Sequence, residues 1–139
     1  MTPPLPDTDL SAAPGLLLFA HGARDPQWAM PFQAVAARCA AARGADRVAL
    51  AFLEFMTPDL VGAGTALVRQ GCTAVDVVPL FLGAGGHVRK DIPALMARLQ
   101  AEHPQVRFAL RAAIGEAPAV IQAMAEAALA GQQSEVPVR

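Results

Sequence analysis

Short apolar runs alternate along the chain with longer stretches whose apolar positions recur every three or four residues, the pattern of strands buried on both faces separated by helices. Leu16, Leu17, Leu18, Phe19 and Ala20 show no alternation and predict a first buried strand. A second is predicted over 47–55, a third over 74–81 with Pro79 near its end because proline cannot donate to the ladder, and a fourth over 106–114. Between them, 28–43 reads as a helix with Pro31 in its first turn and Gly44 as its stop. Thr57, Pro58 and Asp59 read in succession as N-cap, first-turn proline and helix-start carboxylate of a second helix reaching about Gln70, which Gly71 closes. Ile92, Leu95, Met96 and Leu99 predict a third helix over 91–103 with Pro93 in its first turn. Val120, Ile121, Met124 and Leu129 predict a fourth over 118–130, ended by Gly131.

Strands and helices that alternate with a repeat of about thirty residues require right-handed crossovers. The fold class predicted is α/β, a four-stranded parallel sheet flanked by helices on both faces, in a flavodoxin-like or half-Rossmann layer. With 139 residues the chain fits one domain, placed at 15–131, with a loose arm over 1–14 and an aperiodic, mobile tail over 132–139.

Composition narrows the function classes. The formal net charge of -1 leaves no broad positive field for nucleic acid or an acidic membrane. No apolar run is long enough to span a bilayer, and the first fourteen residues hold four prolines and no Lys or Arg, unlike a secretory or transit sequence. The expectation is a cytoplasmic protein whose two cysteines, Cys39 and Cys72, are reduced and serve packing. No G-x-G-x-x-G or Walker-type loop is present, so no nucleotide is expected.

In open parallel sheets ligands bind beyond the carboxyl ends of the strands. His21 directly follows the first predicted strand, Glu54 ends the second and His87 lies in the turn after the third, each 33 residues from the next. Residues at one phase of successive strand-helix units can converge, and two imidazoles with one carboxylate suit a borderline divalent ion such as cobalt, iron, nickel or zinc. A histidine after a strand is, taken singly, more often a hydrogen-bonded loop residue. Glu54 is more telling, because AFLEF is otherwise apolar; the plain alternative is an ion pair with Arg24 or Arg47. The glycines of GAGGH, Gly83 to His87, serve either as a turn or to let a ligand approach the backbone.

The strings FAHGARDP (19–26), AFLEF (51–55) and VVPLFLGAGGHVRKDIP (77–93) resemble, in order and separation, the signature segments of the small sirohydrochlorin chelatases of the CbiX/SirB type, over about 15–128. The resemblance implies half of a two-lobed class II chelatase, completed as a homodimer. It implies that His21, Glu54 and His87 bind the metal and that the substrates are sirohydrochlorin and a divalent metal, cobalt favoured over iron or nickel. Two positions depart from the family pattern: Ala23 stands where the first motif usually has serine, and Ala117 precedes Pro118 where a His-Pro pair is common.

A flat, polyacidic macrocycle needs apolar walls and a few cations. Trp28, Phe55, Met56, Phe81 and Leu82 are the candidate walls, Arg24, Arg89 and Lys90 the candidate cations, and Gly85 and Gly86 the places of close approach. Insertion releases two pyrrole protons, and either His21 or His87 is a candidate base, though neither can accept a proton at a nitrogen that holds the metal. Two alternatives use overlapping residues. One is a metal-delivery module without catalysis. The other is a histidine-phosphatase-like hydrolase, which needs Arg directly before its His where this chain has Ala20.

Overall fold

The computed structural model describes residues 14–83 and 85–131, without the side chains of 86–89. The expected arm over 1–13 and tail over 132–139 lie outside the described residues. Four strands, β1 (Gly15–Ala20), β2 (Val48–Phe52), β3 (Ala74–Pro79) and β4 (Arg107–Leu110), form one parallel sheet in the order β2-β1-β3-β4. The helices are α1 (Met30–Arg43), α2 (Leu60–Arg69), α3 (Gly86–Glu102) and α4 (Pro118–Leu129). β1 is central: Leu17 pairs with Ala49 on one side and Val77 on the other.

Side-chain alternation assigns the two faces of the sheet. Leu17, Phe19, Ala51, Val75 and Val77 pack with Leu60, Leu67, Ile92 and Leu99, so α2 and α3 cover one face. Leu50, Phe52 and Ala20 pack with Ala29, Trp28 and Phe32 at the start of α1, which covers the other. Cys72 is buried in the first cluster, and burial pushes its thiol pKa up, Arg47 pulling it down and Asp46 adding to the rise. Both cysteines are free, Cys39 being only partly buried. No helix among the described residues is long and apolar enough to cross a membrane.

Several elements differ from the sequence reading, β2 among them, which ends at Phe52 and not at 55. Asp59, not Thr57, caps α2, its carboxylate accepting from the Gly62 N–H at 2.8 Å. β4 stops at Leu110 instead of running to 114. The third helix starts at Gly86, five residues before the expected start, so His87 lies on the first helical turn and not in a loop. Pro93 therefore sits inside α3, where it gives up the bond to the carbonyl of residue 89. Ile92 and Leu99 on either side of it are buried, 5% and 0% exposed, and that packing outweighs the local penalty.

Candidate metal centre

His21 and Glu54 meet because the ladder between β1 and β2 outlasts the strands themselves. Beyond Ala20 and Phe52 the Leu53 N–H donates to the Ala20 carbonyl at 2.9 Å and the Glu54 N–H to the His21 carbonyl at 3.1 Å. The side chains then converge: His21 Nε2 lies 3.0 Å from Glu54 Oε2, and both are a little over 40% exposed. Glu54 is thus no buried charge at a core edge, as the apolar AFLEF suggested, but half of an accessible nitrogen–oxygen pair. Neither Arg24 nor the core takes it.

Gly22 makes this approach possible, a requirement the sequence reading missed. Its φ is +95, and a Cβ added there would run into the Glu54 carbonyl. The signal was a glycine directly after a strand-end histidine. Phe55, next to Glu54, is the described non-glycine residue with positive φ, at +68, a conformation costing an L-residue about 1–2 kcal/mol. Its ring is 57% exposed, and the Arg24 guanidinium sits 4.8 Å from the ring centroid.

Parallel neighbours end on the same edge, so the end of β1 lies between the ends of β2 and β3. Six residues separate the end of β3 from the start of α3, so His87 follows β3 at that same edge of the sheet. The His87 side chain lies outside the described residues, and among those described no group of three His, Cys, Asp or Glu converges. The Arg89 side chain is likewise outside them, while Lys90 is exposed. Gly85 has an ordinary φ of -72 at the N-cap of α3, and a Cβ at Gly83 or Gly85 would meet open space, so neither glycine is demanded by the protein's own packing.

The candidate walls separate into two groups. Trp28 stacks on Phe32 at 4.5 Å between centroids and, with Met56, belongs to the core under α1 rather than to a crevice. Phe55 and Leu82 are exposed, and Phe81 is buried with its ring 6.2 Å from that of His21, edge to face. Phe81 also lines a cleft of about 180 Å³ with Pro79, Ile92, Pro93, Leu110 and Ala113. Next to Phe81, the Leu82 backbone is braced by Gly115, whose N–H donates to the Phe81 carbonyl at 2.9 Å and whose missing side chain leaves room for Leu82.

Comparison with known proteins follows the same residues. The CbiX family profile matches residues 15–130. Sirohydrochlorin ferrochelatase of Bacillus subtilis is 30% identical over 78% of this chain and 42% of its own, and sirohydrochlorin cobaltochelatase of Saccharolobus islandicus is 36% identical over 59% and 62%. This chain thus spans less than two thirds of the length of either relative. Among solved structures, sirohydrochlorin chelatase SirB from Bacillus subtilis subspecies spizizenii in complex with cobalt superposes with a TM-score of 0.73 at 29% identity, covering 84% of this chain and 50% of that one. A Marinobacter aquaeolei protein described as a CbiX protein of cobalamin biosynthesis superposes at 0.75 with 34% identity, covering 85% and 96%. With a profile match that runs from β1 through α4 and a shared fold at this level of identity, the chain belongs to the CbiX/SirB family of sirohydrochlorin chelatases, in its small single-domain form.

Proposed function

We propose that the protein inserts a divalent metal, cobalt in preference to iron or nickel, into sirohydrochlorin without using a nucleotide. The observation that carries this reading is the His21–Glu54 pair, 3.0 Å apart and open to solvent on the ligand-binding edge of a parallel sheet. His87, on the adjacent first turn of α3, is the third ligand in the proposal. Two imidazoles and a carboxylate favour borderline ions over calcium or magnesium. Partial exposure leaves coordination positions open, so the ion is able to exchange protein and water ligands for ring nitrogens. Relatives of this chain carry both cobalt and iron in their names, and a SirB structure holds cobalt.

The two pyrrole protons leave one after the other, each accepted by whichever of His21 and His87 then has a ring nitrogen free of the metal and passed on to water before the next arrives. Glu54, 3.0 Å from His21 Nε2, fixes the orientation of that ring. Arg24 meets a carboxylate of the macrocycle, and Gly85, Gly86 and Arg89 border its edge on the α3 side. A homodimer completes the molecule. Its support is that this chain covers half of SirB and that α4 buries none of its residues, leaving Ile121 and Met124 exposed one turn apart.

The direct test is anaerobic insertion, with cobalt, iron and nickel compared in parallel on the same preparation. Cobalt should be fastest. His21→Ala and His87→Ala should each abolish insertion while the fold is kept; near-normal rates in both variants would refute the chelatase reading.

A further inference from the structure

Phe55 holds a backbone conformation that glycine adopts freely and an aromatic residue does not, yet its side chain gains no core packing in return, being 57% exposed. Strain of this kind persists where the surroundings impose it and tends to mark a functional position. What imposes it is plain from the backbone: the Leu53 and Glu54 N–H groups are tied to the end of β1, and the Phe52 N–H donates to the Pro58 carbonyl at 2.9 Å, so the chain must reverse within a few residues. The reversal aims the Glu54 carboxylate at His21 and throws the next side chain outward. Arg24, from the loop after β1, lies against the ring that results, 4.8 Å from its centroid.

Building on the proposed chelatase reading, we infer that Phe55 is a positioning residue that offers a flat aromatic face to the tetrapyrrole, with Arg24 stacked on it as a guanidinium pre-placed for one of the macrocycle's carboxylates. The pair lies directly beside the His21–Glu54 group, so a ring stacked on Phe55 has its nitrogens brought toward the ion. Stacking on a preset aromatic surface costs little ordering of the side chain, and a guanidinium already held by that ring loses less freedom on meeting a carboxylate.

The test uses the full chain and steady-state insertion of cobalt with sirohydrochlorin varied, together with cobalt titration and thermal melting. Phe55→Gly should melt at or above the wild type, bind cobalt as the wild type does, and raise KM for sirohydrochlorin about tenfold, the loss of one stacking contact, more than it lowers kcat. Phe55→Trp should restore KM and Phe55→Leu should not. Arg24→Gln should raise KM for sirohydrochlorin but not for its methyl-ester derivative. An unchanged KM in Phe55→Gly, or a lower melting temperature with loss of cobalt binding, would overturn the assignment and leave Phe55 a structural residue. A wild-type protein that inserts no metal would instead count against the chelatase reading itself.

Discussion

At the scale of single residues, the proposed centre depends on a contact between backbones as much as on its proposed ligands. Gly22 lets β1 pass close under the Glu54 carbonyl, and no other residue fits there with a φ of +95. Gly22→Ala should therefore cost more than the about 1–2 kcal/mol of a left-handed L-residue, because the new Cβ must also push the β2 loop aside. The same displacement separates His21 from Glu54. Chemical denaturation and cobalt titration of the variant should both fall, and unchanged cobalt affinity would show that the two side chains do not act together. Much of this was legible beforehand: His21 and Glu54 stood at one phase of the repeat, and the ladder did bring them within 3.0 Å. Gly22 and the strain at Phe55 were not, since both arise from two segments 33 residues apart meeting at the sheet edge.

At the scale of elements, the α2–α3 contact holds the roof over one face of the sheet. Gly64 of α2 faces the buried Leu99 of α3 so closely that an added Cβ would lie 2.5 Å from Leu99 Cδ1. Gly64→Ala gains up to about 1 kcal/mol of helix propensity but overpacks a site worth about 1–3 kcal/mol, so the net effect should be loss of stability. Leu99→Ala should cost about 2–5 kcal/mol through the cavity it leaves. The double variant should be less damaged than the two losses added, because the new methyl enters the new space. Additive losses in urea denaturation would mean the helices do not press on each other there.

Element periods in the sequence found the four strands and four α-helices of the described residues but misplaced the start of α3. Pro93 and the glycines at 83–86 both argue locally for loop, while Ile92 and Leu99 are buried on one helical face, and packing decided the matter. That shift carries His87 from a turn onto a helix, which fixes its backbone more firmly than a glycine loop would. The end of β2 was overestimated for the opposite reason: AFLEF is apolar, but its last residues belong to the turn that presents Glu54 and Phe55.

At the scale of the whole molecule, α1 and α4 bury no residue and α4 leaves Ile121, Met124 and Leu129 in solvent. An exposed apolar stripe on a helix of a chain that covers half of SirB is consistent with a second copy covering it. Sedimentation equilibrium should give twice 14.4 kDa, and Ile121→Glu with Met124→Glu should return the mass to that of one chain. A monomer at all concentrations in the wild type would rule the homodimer out.

X-ray absorption at the cobalt edge of the loaded protein reads the number and kind of side chains on the ion. Two imidazoles and an oxygen donor are expected, with one imidazole lost in His87→Ala and the Glu54→Gln variant binding more weakly by about 10–100-fold. A spectrum with a single imidazole, or one that His87→Ala leaves unchanged, would contradict the shared centre.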